Sequence, residues 1–345
     1  MPVNVHETMA DGDVRRPATP ERTMRAMVQD AYGTADVLRV AQVAVPTPTA
    51  SQVLVRVQAA GLDRGAWHVM TGKPYALRLV FGIRKPKNSV VGQEVAGTVV
   101  AIGAAVTRFA VGDEVFGIAR GAFAEYAVAG EDKLAAKPAG VTFEQAAVVA
   151  VSALTALQSL RDVGRVQQRH KVLIVGASGG VGSYAVQLAK AFGAEVAGVC
   201  STAKLDLVRS LGADHVIDYA HNDFADGTHR YDLILDIAGN SSISRLRRAL
   251  TPTGTAVMVG GEEGDSLTGG MGRQLRARIV SMFTPQRLTG LLCKERFSDL
   301  ETLAELIVAG KLTPSVGKTI PLDQVAQAMR DLEGGNVRGK VAIVV

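Results

Sequence analysis

Apolar residues recur along this chain at two different periods. From Met24 to about Gly130 they fall in short β-rich runs, among them 53–60, 95–102 and 124–129, separated by Gly, Pro and Asp turns. That pattern predicts a β-rich lobe whose first strand is Met24-Arg-Ala-Met-Val. A helix is expected from Phe143, because Thr142-x-x-Gln145 has capping-box spacing. The period then changes. Strands are predicted at 172–175, 195–199, 215–217, 233–236, 256–259 and 278–282, alternating with helices. The first of these helices carries Val181, Ala185, Leu188, Ala189 and Phe192 on one face. Six strands with interleaved helices match a doubly wound α/β sheet.

Past Pro285 the alternation stops. One helix opens at Ser298-x-x-Glu301 and ends near Gly310, a second carries Val325, Met329 and Leu332, and a strand at 340–345 closes the chain. The β-lobe has no helical layer of its own, so these last elements are assigned back to it. The chain is therefore divided into a disordered tail (1–23), a β-rich domain (24–145 and 286–345) and an inserted α/β domain (146–285).

Composition narrows the function classes. With 345 residues, 47% of them apolar, two domains with sizeable cores are expected. Thirty-eight Lys and Arg against 33 Asp and Glu leave a net +5 without long basic blocks, which argues against nucleic acid as a partner. The longest apolar stretch, 146–157, is too short to span a bilayer, so no membrane partner is expected. Residues 1–22 lack the apolar centre of a secretory signal, and Glu7, Asp11, Asp13 and Glu21 argue against a transit peptide. Cys200 and Cys293 form neither a disulfide framework nor a four-cysteine metal site, and a reducing, cytoplasmic compartment is expected.

The most informative segment is Lys171-Val-Leu-Ile-Val-Gly-Ala-Ser-Gly-Gly-Val-Gly182. An apolar strand breaks into glycines and feeds a helix, baring backbone N–H groups at the positive end of the helix dipole. Such a turn holds a pyrophosphate, and here it is preferred over a glycine turn made only for packing. Ser178, Gly179, Gly180 and Val181 are the expected phosphate contacts. No carboxylate ends the second strand of the unit. Ser201 and Lys204 stand there instead, and they favour NADPH over NADH. In the alternative reading Ser201 caps a helix and Lys204 is a solvated first-turn residue.

Together with Gly92-Gln-Glu94-Val-Ala-Gly97 and Gly112-Asp113-Glu-Val115-Phe-Gly117, this turn resembles the medium-chain dehydrogenase/reductase superfamily, and most closely its zinc-free quinone oxidoreductase branch. The resemblance implies a GroES-like catalytic domain, a Rossmann NADPH-binding domain, and hydride transfer to quinones or α,β-unsaturated carbonyls. The catalytic zinc ligands of related alcohol dehydrogenases fall on Asp63, Gln93 and Val151, which cannot hold that ion as a set. A rearranged site of Asp63, His68 and Glu94 is less favoured than a turn or ion-pair role for Glu94. Lacking a Lewis acid, the site suits a conjugated acceptor, whose developing charge is spread, better than a simple alcohol.

Three catalytic candidates follow. Asp63 stands where related reductases place asparagine, and it either holds the nicotinamide ribose or orients a water. His68 stands at a proton-relay position, the alternative being an ordinary loop histidine. Tyr75 either lines the cleft mouth or covers the core edge. For the coenzyme, the resemblance adds Thr155 beside the nicotinamide, against a threonine back-bonded to its own helix. It also adds Tyr219 at the adenosine end, against a surface residue. Val259 and Gly260, at the end of the fifth strand, are expected near the nicotinamide because ligands gather at the carboxyl ends of parallel strands. Relatives pair as homodimers through the last strand of this sheet, here expected around 277–283. A non-catalytic NADPH-binding sensor is the alternative function, and alcohol dehydrogenase the less favoured one.

Overall fold

The computed structural model describes residues 22–239, 241–260 and 269–345. The tail expected at 1–23 lies outside the described residues over 1–21, and Thr23 already belongs to a strand. The β-rich part holds β1 (Thr23–Val28), β2 (Arg39–Ala44), β3 (Gln52–Leu62), α1 (Arg64–Thr71), α2 (Arg78–Phe81), β4 (Glu94–Ile102), β5 (Glu114–Ile118), β6 (Tyr126–Gly130) and β7 (Leu134–Ala136). Alternating burial along β1 and β6 shows why these runs are strands: one face packs inward and the other meets water. Helix α3 (Phe143–Ala147) begins with the expected capping box, Thr142 Oγ1 accepting from Gln145 N at 3.2 Å while Gln145 Oε1 accepts from Thr142 N at 3.0 Å. Helix α4 (Ala150–Gln158) then runs into a π-helical turn at Ser159–Val163.

The α/β part consists of β8 (Lys171–Val175), α5 (Gly180–Ala191), β9 (Glu195–Cys200), α6 (Leu205–Ser210), β10 (His215–Asp218), β11 (Tyr231–Asp236), α7 (Ile243–Ala249), β12 (Leu250–Met258), α8 (Met271–Ser281) and β13 (Arg287–Gly290). All six strands are parallel, in the order β10-β9-β8-β11-β12-β13. The order reverses between β8 and β11, which opens the ligand crevice at their carboxyl ends.

Two expectations fail here. Residues 278–281, predicted as the sixth strand, lie in α8, and the sixth strand is β13. The run Ile279-Val280 is short and apolar, and period alone does not separate such a run from a helix face; Arg276 and Arg278 take the solvent side. Pairing of two copies through a strand at 277–283 is therefore ruled out for that segment. The sheet also runs past residue 285.

The closing elements are α9 (Phe297–Val308), β14 (Val316–Pro321), α10 (Val325–Glu333) and β15 (Lys340–Val344). Ser298 does not cap α9, since the helix already starts at Phe297 and its N-cap residue, Arg296, makes no side-chain cap bond. β14 and β15 join the first part's seven-stranded sheet, in which β15 pairs antiparallel with β3 and β3 with β4. Val325 and Met329 of α10 pack in that sheet's core. The two sheets share a continuous apolar core, where Ala59, Ala96 and Phe116 of the first pack with Leu154 and Leu157 of α4 and with Ile174 of β8. Burying one such leucine contributes about 1.5–3 kcal/mol, so this seam fixes the two sheets against each other.

Candidate active site

At the end of β8, Gly176 takes φ 90, and the chain turns into α5. A Cβ on Gly182 would lie 2.1 Å from Gly176 O, so only glycine lets the helix start this close to the strand end. Gly179 is the N-cap, with no side-chain cap bond, and the only atom within 4 Å of a Cβ placed on it is Gly176 O at 3.5 Å. The opening of the helix therefore faces free space, as a pyrophosphate cradle requires. The N–H of Gly179 turns back to Gly176 O at 3.2 Å, which corrects the expectation that it faces the phosphates. Gly180 and Val181 occupy the first turn, whose N–H groups have no acceptor within the helix. Ser178 is buried beside them, and its carbonyl is 3.5 Å from Gly339 N at the start of β15. This arrangement fits a dinucleotide.

At the far end of the crevice, Ser201 is the N-cap of the 3-10 turn Thr202–Lys204 without making a side-chain cap bond. Lys204 Nζ donates to Gly335 O at 3.0 Å and Val337 O at 2.9 Å, so it ties the loop before β15 to this turn instead of standing in solvent. Burial, and then the neighbouring Arg338 guanidinium, hold the Lys204 ammonium below its usual range. Arg338 is paired with Asp206 at 2.8 Å. Asp218 ends β10 and accepts from Thr202 Oγ1 at 2.5 Å, which occupies that hydroxyl. Tyr219 follows it, 62% exposed.

At the carboxyl ends of β11 and β12, Val259 and Gly260 both donate to Asp236 O, at 3.1 and 3.2 Å, and close this edge of the sheet. Arg273, from α8, donates to Asp236 Oδ2 at 2.6 Å, Ser241 O at 2.7 Å and Gly260 O at 3.2 Å. Burial raises the Asp236 carboxyl and the guanidinium opposes that rise. Thr155 Oγ1 donates to Val151 O at 2.7 Å, the back-bonded helix geometry. A cavity of about 320 Å³ opens at the opposite ends of these strands, beside Lys171, Glu195, His215 and Tyr231, and is separate from the crevice.

Asp63 caps α1, its Oδ1 accepting from Ala66 N at 2.8 Å. Its Oδ2 is buried with no hydrogen-bond partner among the described residues. An orphaned buried oxygen costs about 1–3 kcal/mol, and a ligand hydroxyl would satisfy it. One turn along α1, His68 Nδ1 lies 2.7 Å from Lys73 O, which assigns the proton to Nδ1 and the lone pair to Nε2. Tyr75 sits on the next turn with its ring 4.6 Å from the Arg78 guanidinium, as part of the surface and not within the α1 pair.

A buried ion pair joins this site to the phosphate turn. Glu94, at the head of β4, pairs with Lys340, at the head of β15, and also accepts from Val151 N at 2.8 Å. Burial pushes Glu94 up to about 7; Lys340 opposes the rise, and nearby Asp63 adds to it. The Lys340 stem runs under the turn, 3.0 Å from where a Gly180 Cβ would sit. The expected ion-pair role of Glu94 is thus the observed one. Sequence reasoning missed Lys340 and Arg273 as parts of the site, although Lys340 carried a signal: a lone charge heading an apolar strand. Val151 meets Glu94 through its backbone N–H. Among the described residues no three His, Cys, Asp or Glu side chains converge to hold a metal ion.

Residues 49–139 match the family described as alcohol dehydrogenase GroES-like domain, and residues 211–343 match zinc-binding dehydrogenase. A chloroplastic quinone-oxidoreductase homolog from Spinacia oleracea is 32% identical, covering 93% of this chain and 98% of its own length. A 2-methylene-furan-3-one reductase from Solanum lycopersicum is also 32% identical, covering 93% and 79%. A mycobacterial protein solved in complex with NADPH superposes with a TM-score of 0.80 at 27% identity, covering 93% of this chain and 100% of its own. A GroES-like domain joined to a Rossmann-type parallel sheet, the strand-glycine-helix turn between them and these similarities together place the chain in the medium-chain dehydrogenase/reductase superfamily, among the oxidoreductases related to quinone oxidoreductases.

Proposed function

We propose that the protein is an NADPH-dependent reductase that passes hydride to quinones or α,β-unsaturated carbonyls without a bound zinc ion. The observation that carries this reading is the side-chain set at the metal positions: Asp63 caps a helix, Gln93 is an amide and Val151 has no donor atom. When bound, the nicotinamide supplies the hydride. Gly180 and Val181 anchor the pyrophosphate, Lys204 and Ser201 face the 2′-phosphate, and Tyr219 covers the adenosine. Thr155, Val259 and Gly260 border the nicotinamide. Asp63 Oδ2 accepts from a ribose hydroxyl or a water. His68, with its proton fixed on Nδ1, is placed to relay the proton that accompanies the hydride. A conjugated acceptor needs only weak donors, because its charge is delocalised.

A homodimer fits this fold along the free edge of β13, beside the exposed Leu275, Ile279, Met282 and Phe283. Two unpaired thiols, Cys200 and Cys293, suit a reducing cytoplasmic setting. The test is NADPH consumption against a panel of quinones, enones and simple alcohols, with and without chelator. Turnover of the conjugated acceptors, undiminished by chelator, is the expected result. Activity lost to chelator returns a metal to the mechanism. Silence across the panel with intact NADPH binding favours a non-catalytic sensor.

A further inference from the structure

The thirty residues between Asp63 and Glu94 contain six Lys and Arg and no Asp or Glu. Folding gathers part of this charge onto one platform. Leu79, Val80 and Ile83 are 75, 64 and 71% exposed, and Arg84, Lys85 and Lys87 are exposed beside them. Arg84 and Lys85 make no ion pair among the described residues. The backbone beneath is held rigidly. Tyr32 Oη donates to Gly82 O at 2.6 Å, Arg78 Nε to Gly72 O at 3.0 Å, and Lys87 Nζ to Val80 O at 2.8 Å. The Arg78 guanidinium also lies over the rings of both Tyr32 and Tyr75, at 4.5 and 4.6 Å. Three aliphatic side chains are thus fixed outward at a cost that burial does not repay, which marks an interaction surface.

The platform stands at the cleft mouth. His68 bonds to Lys73 O at its base, and Pro74 lies 2.9 Å from a Cβ placed on Gly269, on the nucleotide side. We propose that residues 75–87 dock on an anionic lipid bilayer, seating the mouth of the crevice on the phase that dissolves long-tailed quinones. The proposal rests on the quinone reading above. Aliphatic side chains flanked by cations suit the headgroup boundary, where the former insert and the latter meet phosphates. A second copy suits it less, because a two-fold interface would set Arg84, Lys85 and Lys87 against the same cations with no carboxylate in the segment. Docking of this kind needs no spanning segment, and no helix among the described residues is long and apolar enough for one.

The experiment is co-sedimentation of the full chain with vesicles of phosphatidylcholine and with an equimolar phosphatidylcholine–phosphatidylglycerol mixture. Binding only to the anionic vesicles, reversed by salt, is expected. The R84Q/K85Q variant should bind about thirtyfold more weakly, since each surface cation contributes about fivefold. L79S/V80S/I83S should lose vesicle binding while oxidising NADPH with a short, water-soluble quinone at the original rate. No vesicle binding, equal binding to neutral vesicles, or conversion of a dimer to monomer by L79S/V80S/I83S overturns the proposal. Vesicle binding without NADPH oxidation by any quinone upholds the docking surface and overturns the quinone reading instead.

Discussion

Replacing Lys340 with Met removes the cation paired with Glu94 and leaves a carboxylate buried beside Asp63. Breaking a buried pair by deleting one partner costs about 3–5 kcal/mol, because the remaining charge is uncompensated. That cost depends on pH. Burial pushes Glu94 up to about 7 from the ordinary glutamate value of 4.5, so the folded state binds its proton more tightly than the unfolded chain. The sign follows: the stability from this group is fully present below about 4.5 and is lost as pH rises through about 7. Without Lys340 the group rises further. K340M should therefore be destabilised by about 1 kcal/mol more at about pH 8 than at about pH 5, because between about pH 7 and 8 the wild type releases the Glu94 proton while the variant keeps it. E94Q/K340M should recover much of the pH 8 loss, because neither charge remains. Urea unfolding of the wild type, both single variants and the double variant at the two pH values checks this. An equal K340M deficit at both, or a double variant no better than K340M, refutes the argument.

Two further outcomes concern the coenzyme. Gly180→Val places a branched side chain against the Lys340 stem at 3.0 Å and Ser152 Oγ at 3.2 Å, in the turn that faces the phosphates. Calorimetry should show NADPH binding abolished while circular dichroism stays near wild type, and unchanged affinity would remove the phosphate role of the turn. If Lys204 reads the 2′-phosphate as proposed, Lys204→Glu puts a carboxylate against it, and NADPH affinity should fall at least tenfold more than NADH affinity. Because Lys204 also holds Gly335 O and Val337 O, both coenzymes should weaken somewhat; equal losses mean that loop anchoring is its whole role.

The parallel sheet was legible because its signals are local. Each strand from β8 to β12 is an apolar run closed by a turn residue, and the glycines of 176–182 announce a close backbone approach that the structure uses at Gly182. The capping box at Thr142 was legible for the same reason. What failed depended on partners distant in sequence. Residues 278–281 carry an apolar pair that a short window cannot assign, and the structure makes them the last turn of an eleven-residue helix. Ser298 has the composition of a cap, but the chain enters α9 one residue earlier. Lys204 was read as either solvated or phosphate-binding, and the structure finds it bonded to carbonyls 131 and 133 residues away. At the site, Asp63 and His68 were found as chemistry-bearing residues on one short helix. Lys340 was not, since nothing local tells that β15 returns to pair with β3, one strand from the head of β4.

That return explains why one short segment serves both halves of the molecule. The lead-in to β15 brings Arg338 to Asp206, Gly339 N to Ser178 O, and the Lys340 stem under Gly180. The same Lys340 ends on Glu94, whose strand-head neighbour across β3 is Gly61, next to the start of α1. Any rotation of the nucleotide sheet about this seam must therefore move the adenosine end, the phosphate turn and the floor under Asp63 together. A buried pair is a poor source of net stability, since well-packed apolar residues do as well. Its distinctive property is that it tolerates only one geometry, and here that geometry sets the distance between the glycine turn at 176–182 and the helix that carries His68, with Asp63 as its cap.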